Sequence, residues 1–243
     1  MSDIMYNPKT VAEELKKLYP CRLELHAHSS PASGCSEVPA DELVRVFHEA
    51  GYDGIAITNH LISDEEHSES KEQAIEKFKK DLYLAYETGD KLGIKVYTGA
   101  ELRFYKHSDN DYLFYGFSFD ELPDIYDYLN TNLETFVAEY KKDTSLLIQA
   151  HPFRNGMVRM DPNLLDAIEA FNVHQNHNSR VAVTAKYAAE HGKLMTIGSD
   201  YHHPTFEGIS ATRMKALPKD EAELITNIKN EDFIMEIGGR III

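Results

Sequence analysis

Short apolar runs alternate along the chain with longer stretches in which apolar residues recur every three to four positions. The short runs are typical of buried strands, and the longer stretches are typical of amphipathic helices. Their alternation predicts βα units and a largely parallel sheet. The predicted strands are residues 22–28, 54–60, 95–104, 112–117, 145–152, 167–172 and 194–200, and the predicted helices include 39–50, 63–92 and 179–191.

Seven strand-like runs are more than a small doubly wound sheet usually needs. We therefore expect an α/β fold built as a closed or nearly closed (β/α)7 barrel. No linker rich in Pro, Gly or Ser and no internal repeat divides the sequence, so residues 1–243 are predicted to form a single domain. The apolar segment 238–243 is compatible with a final edge strand or with a frayed end.

Composition and charge narrow the possible partners. Of 243 residues, 25 are Lys or Arg and 40 are Asp or Glu, which gives a formal net charge of −15. This charge disfavours duplex nucleic acid and anionic membranes, so any phosphate must be held by metal ions or by a few Arg side chains. No run of 18 apolar residues predicts a membrane span. A polar N-terminus without a secretory signal and only two Cys predict a cytoplasmic protein with reduced thiols.

Residues that can bind metal follow almost every predicted strand. In parallel βα folds the carboxyl ends of the strands meet at one face, where the chemistry takes place. In the segment His26-Ala27-His28, both imidazoles point to one face of the strand, roughly 6.6 Å apart, and can bind one ion. Taken singly, these residues also fit half-buried strand His, a salt-bridged Glu or a satisfied core His. Together they predict a metal site. The strand ends carry His26, His28, His60, Glu101, Ser118, His151, residues 172–174, Asp200 and His202.

Five segments, read together, resemble the PHP (polymerase and histidinol phosphatase) superfamily, and most of all its small stand-alone bacterial members. The segments are 26–28, which continues into the Ser/Pro/Cys-containing loop 29–35, and 53–60, 99–101, 151–154 and 198–202. The resemblance covers at least residues 21–203. It implies a distorted (β/α)7 barrel of the TIM-like kind, two or three divalent metal ions (Zn, Mn or Fe) and phosphoesterase activity.

The same resemblance implies three ligand sets. These are His26, His28, Glu101 and Asp200 for a first ion, Glu101 and His151 for a second, and His60 and His202 for a third. The chain departs from the fullest pattern at Ser33 or Gly34, at Ser118 and at Asn59. The second and third sites therefore each lack a familiar ligand, which Cys35, His174 or water could supply.

Phosphoester hydrolysis requires a nucleophile at neutral pH and neutralisation of the phosphoryl oxygens, and two neighbouring divalent ions supply both. We expect a metal-activated hydroxide near Glu101 and a small phosphorylated substrate, with a phosphomonoester favoured. Arg154 is the best candidate for a phosphate clamp, and a surface ion pair is its alternative. The candidate catalytic residues are Glu101, Arg154 and His202, and the candidate substrate-binding residues are Arg154, His177 and Arg180.

Two other functions remain open at this point. One is an amidohydrolase-like enzyme that acts on C–N or C–O bonds, and the other is a non-catalytic module that binds metal. The exact substrate and the oligomeric state do not follow from the sequence. His203 and Arg213 are weaker site candidates, Ser179 is a candidate helix N-cap, residues 64–76 are expected to be a solvated helical face, and His48, His67, His107 and His191 are expected to be surface or structural residues.

Overall fold

All seven predicted strands are present in the computed structural model, which describes residues 8–63, 69–105, 110–204 and 207–242. The strands of the described residues are β1 Cys21–Ala27, β2 Gly54–Ile57, β3 His60–Ile62, β4 Lys95–Arg103, β5 Asp111–Tyr115, β6 Leu146–Gln149, β7 Ala167–Asn172, β8 Leu194–Gly198, β9 Ser210–Met214, β10 Phe233–Ile237 and β11 Arg240–Ile242. The helices are α1 Pro8–Leu18, α2 Ala40–Glu49, α3 Lys71–Leu92, α4 Leu122–Leu129, α5 Leu133–Glu139, α6 Val181–Glu190 and α7 Glu221–Lys229.

The strands form one curled mixed sheet in the order β11-β10-β9-β1-β2-β4-β5-β6-β7-β8, and β3 pairs with β4. The α/β prediction is confirmed, but a full (β/α)7 barrel is not. Strand β9 runs antiparallel to β1 and pairs Thr212 with Leu23, so it occupies the edge that β8 would need to close the barrel. Only the ends meet, where the His28 N–H donates to the Tyr201 carbonyl at 3.0 Å. The sheet is therefore a half-barrel in which the segments that follow β1 and β8 are hydrogen-bonded to each other.

Strand β5 corrects the prediction of a largely parallel sheet. It is antiparallel to β4, where Arg103 pairs with Asp111, and also to β6. Its first residue, Asp111, therefore lies at the carboxyl ends of the parallel strands, and Ser118 follows its far end. Ser118 is exposed, and both its N–H and its hydroxyl donate to Glu121. The sequence placed Ser118 at the wrong end of the sheet.

The predicted strand 54–60 is divided into β2 and β3. Residues Thr58 and Asn59 interrupt it because their side chains bond to β1 and to the loop that follows β1. Thr58 Oγ1 accepts the N–H of Ala27 at 3.2 Å, and Asn59 Oδ1 accepts the N–H of Ser29 at 2.7 Å. After the break, His60 pairs with Glu101 in the register between β3 and β4. The interruption therefore places a histidine beside the glutamate of the neighbouring strand.

The helices pack their apolar faces against the sheet. The main cluster joins residues such as Phe47 of α2 and Phe78 of α3 to strand residues such as Phe114. Helix α3 begins at a capping box between Ser70 and Gln73. Helix α6 does not use Ser179 as its cap, because the Ser179 hydroxyl donates to Asn172 at 2.9 Å and Arg180, with φ of 48°, occupies the N-cap position.

Of the edge strand and the frayed end that the C-terminal sequence left open, the structure has the edge strand, since β11 pairs antiparallel with β10. Arg213 belongs to this part of the sheet: its buried guanidinium donates to Glu236 across β9 and β10, so it is a structural residue. Among the described residues, no helix has both the length and the apolar character that a membrane crossing requires.

Candidate metal centre

His26 and His28 leave the end of β1 with their imidazoles directed at one point. Their Nε2 atoms lie 3.1 Å apart. The other ring nitrogens are held from behind, His26 Nδ1 at 2.7 Å from Glu169 Oε1 and His28 Nδ1 at 3.1 Å from Ser33 Oγ. Partners of this kind fix the tautomer and the orientation of metal-ligating histidines. Both Nε2 atoms are thereby presented as ligands.

Glu101 lies at the centre of the cluster. Its Oε1 is 3.3 Å from both His26 Nε2 and His151 Nε2, and its Oε2 is 3.2 Å from His28 Nε2 and 3.1 Å from His60 Nδ1. Burial alone would raise the pKa of Glu101, but the surrounding imidazoles hold it well below its usual value. The carboxylate is therefore ionised and has one oxygen on each side of the cluster.

Asp200 closes the site from the end of β8. Its Oδ1 is 3.4 Å from the Nε2 atoms of His26 and His28, and Asn172 donates to its Oδ2 at 3.2 Å. Burial works against ionisation, but His26, His28 and His151 hold the pKa of Asp200 well below its usual value. Asp200 is thus an anionic oxygen donor facing the same imidazoles as Glu101.

Two candidate ligands occupy the left-handed backbone region. His151 has φ of 31° and Asp200 has φ of 52°. Such conformations cost on the order of 1–3 kcal/mol for residues other than Gly and concentrate at functional sites. The His151 turn is held by Glu169, whose Oε2 accepts the His151 N–H at 3.1 Å. The carboxylate of Glu169 therefore holds two candidate ligands: it binds the imidazole of His26 and the backbone N–H of His151.

The side chains form three groups whose candidate ligand atoms lie within 4.8 Å of one another. All seven predicted metal ligands are among them, together with one residue that the sequence did not indicate. The groups are His26, His28, Glu101 and Asp200; Glu101, Asp111 and His151; and His28, His60 and His202.

Asp111 is the residue that sequence reasoning missed. It is buried, its Oδ2 is 4.0 Å from His151 Nε2, and Arg103 binds both of its oxygens at 2.7 and 2.9 Å. Asp111 supplies the second group with the ligand that was sought at Ser118. A carboxylate at the first position of an apolar strand was the available signal, but it has value only if that strand runs antiparallel.

The third group consists of imidazoles. Burial lowers the pKa of His60 well below its usual value and lowers that of His202 to about 3, so both rings are neutral and able to bind metal. His202 Nδ1 donates to the Asp200 carbonyl at 2.8 Å, and His202 Nε2 is 3.1 Å from Cys35 Sγ. Cys35 is therefore close enough to complete this group, whereas His174 Nδ1 accepts the Asn176 N–H at 3.1 Å.

Ser33 stands where the resemblance would place an acid or a histidine. Its hydroxyl contacts His28 Nδ1, donates to Asn59 Oδ1 at 3.1 Å and accepts the His60 N–H at 2.9 Å. A serine hydroxyl is thus used to position two candidate ligands. Asn59, where the resemblance has an aspartate, takes part in the same network.

The cluster fits divalent cations on two observations. Four carboxylates, those of Glu101, Asp111, Glu169 and Asp200, are each about 1% exposed at this centre, and buried carboxylates require compensating positive charge. In addition, Glu101 Oε1 and His60 Nδ1 are buried without a hydrogen-bond partner among the described residues. Imidazole and carboxylate groups are the ligands that divalent metal sites commonly use.

The cluster opens into a cavity of about 840 Å³. Arg154 lies on its wall, with Nη1 3.4 Å from Asp200 Oδ2 and 3.5 Å from His151 Nε2. His177 also lines this cavity, whereas Arg180 lies outside it and donates to the Phe153 carbonyl and to Asn155. His203 lines the rim and pairs with Glu37 at 3.2 Å. His48 and His191 are exposed as expected, whereas His67, His107 and residues 64–68 lie outside the described residues.

Glu169 was not singled out at the sequence level, and Asn172 was named only among the residues at the strand ends. Glu169 stands alone among apolar residues in β7, and a lone carboxylate in a buried strand was the signal that could have indicated it. Asn172 bridges Glu169 and Asp200 through its amide group, at 3.0 and 3.2 Å. Both residues act behind the candidate ligands.

Comparisons with known proteins bear on the family and on the fold. The family model described as the PHP domain matches residues 24–237. No curated protein matches the chain. Among solved structures, the chain is similar to a two-domain protein from Bacteroides vulgatus described as containing a predicted PHP-like metal-dependent phosphoesterase, with 17% identity and a TM-score of 0.62 over 89% of this chain and 64% of that one.

Two further solved structures share the fold. PsfC from Pseudomonas syringae has 17% identity and a TM-score of 0.56, over 85% of this chain and 88% of that one. An amidohydrolase from Chromobacterium violaceum, with bound sulfate and no metal, has 14% identity and a TM-score of 0.51, over 76% of this chain and 89% of that one. At these identities the likeness establishes the fold alone, and the chain spans less than two thirds of the Bacteroides vulgatus protein.

Proposed function

Because the chain belongs to the PHP domain family, we propose that it is a metal-dependent phosphoesterase that hydrolyses small phosphomonoesters. The family and the three buried clusters support the broader class, a metal-dependent hydrolase. The mixed imidazole and carboxylate donors suit two or three ions of Zn, Mn or Fe. When bound, such ions lower the pKa of a water molecule and neutralise charge on phosphoryl oxygens.

The state of the Arg154 guanidinium is the observation that favours phosphoesters as the substrate class. Its Nη1 lies against Asp200 and His151, and its Nε and Nη2 have no partner among the described residues. A guanidinium fork in this state can take two oxygens of a phosphoryl group at once. Hydrolysis of an amide or a lactone does not require such a clamp.

The chain's own residues have separable roles in this proposal. Glu101 presents one oxygen to His26 and His151 and the other to His28 and His60, so it joins the groups. Arg154 orients the phosphoryl group. His202 uses Nδ1 as a donor to Asp200, so its Nε2 remains for ligation, which supports a metal ligand rather than a proton donor.

A small substrate is favoured over a polynucleotide. The chain has a net charge of −15, so attraction for phosphate is confined to the cavity that Arg154 lines. A duplex needs cations along a surface to replace its counterions. The substrate in this proposal is accordingly a small phosphorylated molecule that enters the cavity.

Elemental analysis followed by a phosphate-release screen tests the proposal. Purified protein is expected to contain a divalent metal and, with the best metal restored, to release phosphate from phosphomonoesters. Arg154→Ala is expected to lower kcat/KM by about 100-fold, because loss of a charge-assisted contact of this kind removes about 2–3 kcal/mol. Arg45→Ala, on the exposed face of α2, is the matched control. Hydrolysis of amides or lactones without phosphate release, or full activity in both His28→Ala and Asp200→Ala, would contradict the proposal.

A further inference from the structure

A second cavity opens beside the metal cavity. It has a volume of about 470 Å³ and shares Arg103, Arg154, Asn176 and His177 with the main cavity. A third cavity of about 510 Å³ continues from it along the loop after β6. We refer to the second and third cavities together as the arginine cleft. Its described lining residues are Arg103, 152–159, 176–178 and Arg180.

The arginine cleft has the opposite charge to the molecule as a whole. Four arginines line it, namely Arg103, Arg154, Arg159 and Arg180, and none of its described lining residues is Asp or Glu. Arg103 pairs with Asp111, and Arg154 pairs with Asp200 through Nη1. Arg159 and Arg180 have no ion pair among the described residues, so these two supply most of the positive charge. In a chain with a net charge of −15, such a cleft focuses a local positive potential.

The polar groups of the cleft are held so that they present donors. Arg180 donates to Asn155 Oδ1, and the Arg180 N–H donates to Asn178 Oδ1 at 3.1 Å. With both amide oxygens occupied, each Asn retains an NH₂ group without a partner among the described residues. Together with the unpartnered nitrogens of Arg154, these groups make a donor-rich surface, which is complementary to an anion.

We propose that the arginine cleft binds a second anionic group of the substrate, so that the preferred substrate is a phosphomonoester that also carries a carboxylate or a second phosphate. The phosphoester lies at the metal cluster, and the second anion reaches Asn155 and Asn178. Arg154 lies where the metal cavity meets the arginine cleft. This inference rests on the proposed phosphoesterase function, but the binding test that follows does not require any catalysis.

Calorimetric titration of the metal-loaded protein with inert phosphonates tests the cleft without any turnover. Propylphosphonate has one anionic group, 3-phosphonopropionate adds a carboxylate, and propane-1,3-diphosphonate adds a second phosphonate. The doubly anionic compounds are expected to bind about tenfold more tightly, equivalent to about 1.4 kcal/mol. The tighter of the two identifies the preferred second anion. Equal binding of all three compounds would overturn the proposal.

Asn155→Asp separates the cleft from the metals as the source of this preference. The substitution keeps the oxygen that accepts from Arg180, so the loop is expected to fold, while a carboxylate replaces the NH₂ donor. We expect it to abolish the preference for doubly anionic phosphonates and to leave propylphosphonate binding nearly unchanged. Asn230→Asp, exposed at the end of α7, adds the same charge elsewhere and serves as the control. A preference that survives in Asn155→Asp belongs to the metal cluster and refutes the cleft.

A hydrolysis series distinguishes failure of the cleft from failure of the proposed function. Glycerol 3-phosphate, 3-phosphoglycerate and propane-1,3-diol bisphosphate repeat the same comparison with cleavable esters. Higher kcat/KM for the latter two, lost in Asn155→Asp, supports both proposals. Phosphate release from all three at equal rates overturns the cleft alone. No release, together with an intact phosphonate preference, overturns the phosphoesterase and leaves the cleft as an anion site.

Discussion

Gly198, at the end of β8, lies where no side chain fits. A Cβ there would be 2.5 Å from Glu169 Oε1 and 2.5 Å from His26 Cβ. Because Glu169 orients His26 and holds the His151 turn, a methyl group at this position disturbs two candidate ligands at once. The glycine is thus required by the packing behind the metal centre, not by its backbone conformation.

We expect Gly198→Ala to destabilise the fold by about 1–3 kcal/mol, the usual range for overpacking a filled interior. It is also expected to reduce the bound metal. Urea denaturation and elemental analysis measure the two effects. Gly34→Ala is the stability control, since a Cβ at that position meets nothing within 4 Å. Equal stability of the two variants would show that the space behind His26 is not filled as described.

Asp111 is predicted to hold an ion together with Glu101 and His151. Asp111→Asn keeps the shape of the side chain but removes its charge, so one ion is expected to be lost or to bind more weakly. The loss of affinity should exceed roughly 10–100-fold, the range typical of residues that support the ligands from behind. Metal stoichiometry and calorimetric titration of the metal-free protein measure this. Asp120→Asn, at an exposed position, is the control. Unchanged stoichiometry and affinity would remove Asp111 from the centre.

At the level of the elements, strand direction decides what each end of a strand contributes. Strand β5 contributes Asp111 to the metal centre by its first residue, while its far end is tied down by Glu121. Glu121 accepts from the Ser118 N–H at 2.9 Å and from the Tyr140 hydroxyl at 3.2 Å, and it pairs with Lys142. Strand β5 is therefore fastened to the segment that follows α5.

This fastening is predicted to depend on pH. Partial burial opposes ionisation, but Lys142 and the Ser118 N–H lower the pKa of Glu121 to about 2. The folded-state pKa lies below the unfolded value of about 4.3. The ionised carboxylate therefore stabilises the fold fully above the unfolded pKa, and this contribution is lost as the pH falls towards the folded pKa.

Glu121→Gln is expected to destabilise the fold by on the order of 1 kcal/mol at pH 7, since solvent screens a partly exposed pair. The difference from the wild type should shrink as the pH falls below about 4.5. Denaturation curves at pH 7, 5 and 4 measure it, with exposed Glu76→Gln as the control. A difference that stays constant over this range would mean that the charge of Glu121 contributes nothing.

On the scale of the whole molecule, the half-barrel concentrates negative charge at one end. Four buried carboxylates converge there, and Arg103 and Arg154 each pair with one of them. Cations that bind this centre act on the global stability, because they bind the folded chain and the unfolded chain lacks the site. The centre should therefore couple metal binding to folding.

Removal of metal is expected to lower the melting temperature. Binding at 100 times Kd stabilises by about 2.7 kcal/mol, which for a chain of this size corresponds to roughly 5–10 °C. Calorimetric melting before chelation, after chelation and after metal restoration measures the shift. His26→Ala is the control, since a protein without the first group should show a much smaller shift. Identical melting in all three states of the wild type would exclude a coupled centre.

The ligand types and most of the strands could be predicted from the sequence. Apolar runs locate buried strands because a buried strand consists of apolar residues that are consecutive in the sequence. His26, His28, Glu101 and Asp200 stand at the ends of such runs. The metal prediction rested on several residues sharing one position relative to their strands. The structure brings all of these into groups with Asp111 added.

The sequence did not predict the direction of β5, the incomplete closure of the barrel or the residues behind the ligands, because these depend on contacts across the fold. Strand direction and edge occupancy depend on which strands pair, and pairing is a long-range choice that local periodicity does not encode. For this reason Asp111 was missed, Ser118 was misplaced, and β9 was not expected at the edge of β1. The roles of Glu169 and Ser33 likewise exist only through contacts across the fold, which join residues far apart in the chain.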